Sequence, residues 1–257
     1  MWLDLNPQWS SVADPKPQHA LAVRLQGIVK SFGDGNARLT VLKDISLDTR
    51  EGEIMMLVGP SGCGKTTLIS IMAGTLGADQ GSVEVFGSRL DKMSASAVTR
   101  FRAQNIGFIF QQFHLIPTLN IVQNASVPLL IQGKSTRFAE QKARESLALV
   151  GLGDRFHHRP NQLSGGQQQR VAIARALVHD PKLIICDEPT AALDAHNGQL
   201  VMELFENVAR TAGRSVVIVT HDNRIFNHAD RIASMDDGQI VEVHEVVKGR
   251  PVELAGH

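Results

Sequence analysis

The sequence predicts an α/β fold, and three short apolar runs predict it. Ile54–Val58, Leu183–Cys186 and Ser215–Val219 each have the length and unbroken apolar character of a strand buried on both faces. Each run ends abruptly in residues with polar or phosphate-seeking chemistry, the place where open α/β sheets present groups to ligands.

The first run organises the rest. It leads into Gly59-Pro60-Ser61-Gly62-Cys63-Gly64-Lys65-Thr66-Thr67, which matches GxxxxGK[ST] with a strand before it and a helix after it. The glycines let the backbone curl so that successive N–H groups face inward, a nest for anionic oxygens at the positive end of the next helix. Lys65 adds a mobile charge for β and γ phosphates, and Thr66 offers a hydroxyl to a magnesium ion. Cys63 lies inside the loop, so a thiol adduct there is expected to fill the phosphate site. A glycine turn that merely caps a helix is the plainer alternative.

At 257 residues the chain can bury one substantial core, with room for an inserted subdomain. Lysine plus arginine and aspartate plus glutamate balance at 26 each, so no global field favours nucleic acid or acidic lipid. The two cysteines, Cys63 and Cys186, sit where a disulfide would scaffold nothing, which suits a reducing cytoplasm. Apolar runs reach about five residues against the roughly 20 needed to cross a bilayer, so no membrane span is expected.

Residues 1–20 hold three prolines, an early acid and no apolar segment, and read as a tail outside the fold rather than a secretory signal. Trp2 and Trp9 are either incidental to that tail or a docking point. From Leu21 to Leu47 the pattern is strand-like, broken by the turn Gly33-Asp34-Gly35-Asn36. Phe32, just before the turn, offers a ring either to the core or to a purine face. After the phosphate loop come a helix to about Gly74 and a strand over Ser82–Phe86.

The run IGFIF ends at Phe110 and meets Gln111 and Gln112 where a buried strand would reach the surface. Phe113–Asn124, mixed in character and holding Pro117, reads as an exposed loop. Thr136–Leu152 carries Ala139, Ala143, Leu147 and Val150 at helical spacing. In Leu163-Ser164-Gly165-Gly166-Gln167, Ser164 and Gln167 have the form of a capping box for the helix that follows. Gly165 and Gly166 weaken that start by roughly 1 kcal/mol each relative to alanine, which makes sense if something approaches the backbone closely, an anion for instance.

Asp187 and Glu188 end an apolar strand, a costly place for two acids unless they bind a cation or act on water. With a phosphate loop in the same chain, Asp187 belongs near magnesium and Glu188 near an attacking water. His221 follows the Ser215–Val219 strand at the same sheet edge. The strands Arg231–Met235 and Gln239–Val243 are joined by Asp237-Gly238, a hairpin signal.

Taken in order, these motifs resemble the nucleotide-binding subunit of an ATP-binding cassette transporter from about Leu21 to Val246. They are the aromatic Phe32, the phosphate loop, Gln111, LSGGQ at 163–167, the acids at 187–188, Ala191-Ala192-Leu193-Asp194 and the switch His221. The resemblance implies a P-loop NTPase (RecA-like) core with an antiparallel β subdomain, a helical insertion at about 112–170, and a C-terminal tail over 247–257. It implies ATP and Mg²⁺ as cofactors, and a head-to-tail homodimer in which ATP on one phosphate loop is closed over by LSGGQ of the other copy.

Carried to matching positions, it makes Lys65, Glu188 and His221 catalytic, as phosphate ligand, water-orienting residue and γ-phosphate sensor. It has Phe32, Gly59 to Thr67, Gln111, Ser164, Gly165, Gly166, Gln167 and Asp194 contact nucleotide, and Thr66, Asp187 and Gln111 serve the metal. The partners implied are an integral membrane permease, often joined to a periplasmic adaptor, and no nucleic acid. The place implied is peripheral, on the cytoplasmic face of the inner membrane.

Within the family the stretches Gly33–Thr40 and Phe113–Asn124 look like the group of lipoprotein-releasing, macrolide-export and cyanobacterial glycolipid-export ATPases, and 220–232 leans toward the last of these. Gln123-Asn124-Ala125 departs from that group's usual acid, Asn and Val. Export of a hydrophobic compound, lipid or lipoprotein is the expected role. A signalling ATPase that transmits motion to a cell-envelope enzyme without transport is the alternative. A soluble cassette of DNA repair or translation is disfavoured, because neither a long coiled coil nor a second cassette is present.

Overall fold

The computed structural model describes residues 20–247, so Trp2, Trp9 and residues 248–257 lie outside it. Strand-like patterning at the start becomes β1 (Leu21–Phe32) and β2 (Leu39–Arg50), paired antiparallel with Leu25 opposite Leu47 and Ile28 opposite Ile45. On the other side of β1 lies β4 (Gln80–Val85), followed by the two-residue β5 (Ser88–Arg89), giving a four-stranded sheet in the order β2-β1-β4-β5.

The second sheet has six strands. Five run parallel: β3 (Ile54–Val58), β6 (Ile106–Ile109), β7 (Leu183–Asp187), β8 (Ser215–Val219) and β9 (Arg231–Asp236). β10 (Gln239–Glu245) returns antiparallel on β9, and the order is β10-β9-β3-β8-β7-β6. Because the interior strands are covered on both faces, their side chains alternate between two cores rather than between core and water. Ile54, Met56 and Val58 join a core with α5 (Gly165–Leu177) and α6 (Ala195–Ala212). Met55 and Leu57 join another with α1 (Lys65–Met72) and the four-stranded sheet. The parallel direction brings the carboxyl ends of β3, β8, β7 and β6 to one edge, where the site lies.

Three helices depart from the sequence reading. Both α2 (Ala95–Asn105) and α6 lie where no helix was expected. The expected loop Phe113–Asn124 holds as far as Asn120, where α3 (Ile121–Ile131) begins; Pro128 and the mostly apolar residues of this helix hide its period. Asn120 starts that helix: its Oδ1 accepts from Gln123 N at 2.8 Å, while Gln123 Oε1 accepts from Asn120 N at 3.0 Å. Ile121 and Val122 are buried rather than exposed. α4 (Thr136–Leu149) stands where it was expected, three residues shorter, with Ala139, Ala143 and Leu147 inside.

Asn124, only 1% exposed, ties the preceding loop to α3. Its Oδ1 accepts from Ile116 N at 2.7 Å, and its amide donates to the carbonyls of Ile116, Leu119 and Asn120 at 3.1 Å each. Removing that amide strands buried backbone groups. Asn124→Ala is therefore expected to lower unfolding free energy by about 2–3 kcal/mol, measured by chemical denaturation. A loss below about 0.5 kcal/mol would show that the loop satisfies itself by other means.

Candidate active site

The phosphate loop is shaped by what its glycines touch. A Cβ on Gly59 would lie 2.0 Å from the Met235 carbonyl oxygen, so only glycine lets the chain leave β3 across the neighbouring β9. Gly64 sits in the left-handed region at φ 105° and opens α1 with its N–H groups toward the loop. Beneath the loop is a cavity of about 570 Å³. Gly59 to Gly62, Gly64 and Lys65 to Thr67 form one side, and Gln111, Asp187, Glu188 and His221 the other. The two sides come from four different strand ends.

Lys65, expected to be mobile, is fastened to the loop: its ammonium donates to the Gly59 and Pro60 carbonyls at 2.7 Å each. Cys63 overturns one expectation. Its thiol is 6% exposed, belongs to the core under the loop and lies 3.7 Å from Lys65 Nζ, while the residue is not among those lining the cavity. A thiol adduct there would have to open the core before it reached a phosphate.

Asp187 closes β7 and is buried. Thr66 Oγ1 donates to its carboxylate at 3.1 Å. Burial raises the Asp187 pKa above the usual carboxylate range, and the charge of Glu188 adds to that, whereas the Thr66 bond and Lys65 pull the other way. Glu188 follows at φ 51°, a left-handed conformation rare for a side chain of this size and held by its N–H donating to Val219 O at 2.9 Å. This turn aims the carboxylate back at the cavity. Glu188 Oε1 is 2.7 Å from His221 Nδ1, and Oε2 is buried without a protein hydrogen bond. His221, 68% exposed at its side chain, reaches over from the end of β8.

The remaining expected residues are placed elsewhere. Phe32 is 44% exposed, so it is not core; its ring lies 5.5 Å from the Lys30 ammonium and does not line the cavity. Ser164, Gly165, Gly166, Gln167 and Asp194 are likewise away from it. Ser164 and Gln167 form the expected capping box, with Gln167 Oε1 accepting from Ser164 N at 3.0 Å. The close neighbour at Gly166 is Asn197 of the same chain, since a Cβ there would lie 2.8 Å from Asn197 Oδ1.

Val41 and Val219 line the cavity without any sequence signal, because packing alone brings them there. Arg175 is also invisible in the sequence. From α5 it donates to the carbonyls of Phe113 and His114 at 2.8 and 2.7 Å, pinning the segment just after Gln111.

No group of three or more His, Cys, Asp or Glu side chains able to hold a metal occurs among the described residues. What the cavity offers is one buried carboxylate beside a threonine hydroxyl. That is too little for a protein cage, but it suits a hard ion such as magnesium, which takes one or two carboxylates and completes its shell with water and substrate phosphates.

Comparison with known proteins agrees with this geometry. The profile of the family described as ABC transporter matches residues 42–191. The chain belongs to that family. It is an ATPase whose hydrolysis of ATP is coupled to transport. It is 44% identical over 218 residues to the lipoprotein-releasing system ATP-binding protein LolD of Bacteroides thetaiotaomicron, covering 85% of this chain and 98% of that one. With an uncharacterized ABC transporter ATP-binding protein of Methanocaldococcus jannaschii it shares 42% identity over 221 residues, 86% of this chain and 98% of the other. With the macrolide export ATP-binding/permease protein MacB of Shewanella sp. it shares 43% over 82% of this chain, which is 32% of that longer protein. A solved ATP-binding cassette, described as a dimer in a post-hydrolysis state bound to ADP and Pi, superposes with a TM-score of 0.81 at 37% identity, covering 87% of this chain and 98% of that one.

The raised pKa of Asp187 has a sign that can be checked in the ABC ATPase alone. A carboxyl whose folded pKa exceeds its unfolded one loses stability as pH rises between the two values, and the whole cost is present above the folded value. Asp187→Asn should therefore raise the melting temperature of the nucleotide-free protein at pH 7, and the gain should vanish as pH falls below the ordinary aspartate range. Scanning calorimetry on both proteins at several pH values reads this. A destabilised Asp187→Asn at pH 7 would mean that Thr66 and Lys65 outweigh burial.

Proposed function

We propose that this ATPase works as a pair, each copy binding ATP on its own phosphate loop while Ser164 to Gln167 of the other copy closes over it, and that the pair energises export through a separate permease. The observation that carries the reading is the split placement: Lys65, Thr66, Asp187, Glu188 and His221 share one cavity, and the LSGGQ turn, capped and exposed at Ser164, stands apart from it. A second copy supplies what the first lacks. The dimeric cassette at TM-score 0.81 supports this arrangement.

The N–H groups of the phosphate loop and Lys65 hold the β and γ phosphates, Thr66 and Asp187 hold magnesium, and Gln111 contacts the same ion. When bound, the ion neutralises charge that develops on the phosphates during transfer. Glu188 accepts a hydrogen bond from the attacking water, its buried Oε2 being free of protein partners. Because its other oxygen lies against His221, the carboxylate cannot rotate away. His221 then senses the γ phosphate, Asp194 faces the partner copy, and Phe32 stacks on adenine.

The link to the permease runs through consecutive residues. Gln111 lines the nucleotide cavity, while Phe110 and Phe108 line an apolar groove of about 350 Å³ with Pro128, Ile131 and Ala176. A permease segment in that groove would feel any movement of Gln111. No helix among the described residues is long and apolar enough to cross a membrane. The names of LolD, of a lipoprotein-releasing system, and of MacB, a macrolide exporter, favour a lipoprotein, lipid or other hydrophobic compound as cargo; a periplasmic adaptor and a place on the cytoplasmic face complete the proposal.

Glu188→Gln should reduce turnover by roughly 10²–10⁴ while retaining ATP, because it removes a negative charge beside the γ phosphate and keeps the side chain's shape. With Mg·ATP this variant should run as a dimer in size-exclusion chromatography with light scattering, and as a monomer with ADP. Adding Ser164→Arg should return it to a monomer. A Glu188→Gln protein that stays monomeric with ATP at high concentration would end the paired-site reading.

A further inference from the structure

We infer that Asn197 is a positioning residue that locks Asp194 and the turn Ser164–Gln167 into one rigid corner, and that this corner is what docks on the nucleotide of the second copy. The inference rests on the paired-site reading above and adds to it a residue that no sequence motif marks.

Asn197 is the third residue of α6, whose N-cap is Asp194. Its backbone N–H donates to Asp194 Oδ1 at 2.9 Å, which is ordinary capping. Its side chain goes further: Nδ2 donates to Asp194 Oδ2 at 2.7 Å, so both carboxylate oxygens are held. These bonds, the backbone one first, keep the Asp194 carboxyl below the usual aspartate range, so it stays ionised.

The other end of the same amide lies on Gly166. A Cβ at Gly166 would stand 2.8 Å from Asn197 Oδ1 and 2.9 Å from its Cγ, and one at Gly165 would meet the Ala192 carbonyl oxygen at 3.6 Å. Both glycines of the turn therefore rest on the segment 192–197. A larger residue at 166 would push the two elements apart. The corner is also anchored to the chemistry of its own copy, because Ala191 N donates to Glu188 O at 3.3 Å and Leu193 N to Thr190 O at 3.0 Å. Two tight turns thus lead from Glu188 to Asp194. Ser164 and Asp194, the polar side chains the corner presents, are both exposed.

Helix capping alone would predict a different phenotype from docking. The backbone bond to Asp194 does not depend on the side chain at 197, so Asn197→Ala keeps the cap and loses only the amide. Asn197→Asp keeps the shape and turns the donor into an acceptor facing Asp194. Each change is made in the Glu188→Gln protein, and three quantities are read: melting temperature, affinity of one copy for a fluorescent ATP analogue with magnesium, and the ATP-dependent dimer dissociation constant.

Asn197→Ala is expected to weaken dimerisation by about tenfold or more while nucleotide affinity stays within about twofold, since a misplaced docking group costs far more than its own contact. Asn197→Asp should weaken it further. Unchanged dimerisation in both variants, with the parent still dimerising, overturns the inference and leaves the paired site standing. Affinity, dimerisation and melting temperature falling together would make Asn197 merely structural and also overturn it. A Glu188→Gln parent that never dimerises takes both readings down.

Discussion

Two adjacent carboxylates at the end of one fully buried strand constrain the rest of this structure. Apolar β7 delivers Asp187 and Glu188 to a place with little water, and burial, with the charge of Glu188 adding to it, pushes the Asp187 pKa upward. Thr66 and Lys65 offset part of that cost from across the cavity. The left-handed turn at Glu188 adds strain that persists because Val219 O holds its N–H. Sites that retain such a cost are usually completed by something that binds, and here a hard cation with phosphates matches both the charge and the donors. The parallel sheet makes the placement possible, since β8, between β3 and β7, brings His221 to the same edge as the phosphate loop.

The surface proposed to meet the nucleotide of the second copy is built on a different corner. α5 begins with LSGGQ and, further along, sends Arg175 to the carbonyls just after Gln111. α6 begins with Asp194 and places Asn197 against Gly166. One helix thus touches the segment just after Gln111, beside the apolar groove, and the other is joined by short turns to Glu188. Under the proposed function, a rearrangement at Glu188 or Gln111 would be passed along these segments toward the second copy and a membrane partner.

Much of this was legible in the sequence where a strand end carries its chemistry with it. Ile54–Val58, Leu183–Cys186 and Val216–Val219 are unbroken apolar runs because both their faces are covered, and the polar residues that follow each run meet in one cavity. The chain was less readable where tertiary contact decides. α3 hid behind Pro128 and an apolar surface all round, and its start depends on Asn120 and Asn124 bonding to backbone. Cys63 sits inside the loop motif, yet its side chain turns away from the cavity, a direction that local pattern does not encode. Gly165 and Gly166 signalled a close approach, but the neighbours within the chain are Ala192 for Gly165 and Asn197 for Gly166, far along in sequence.

The central claim is that the two acids divide the work, Asp187 through magnesium and Glu188 through water. The most direct measurement is the affinity of Asp187→Asn and Glu188→Gln for a fluorescent ATP analogue, titrated with and without Mg²⁺ on the same day's protein. Magnesium should strengthen binding to Glu188→Gln as it does to the unmodified protein, and this gain should be lost in Asp187→Asn. Equal magnesium dependence in the two variants would contradict it.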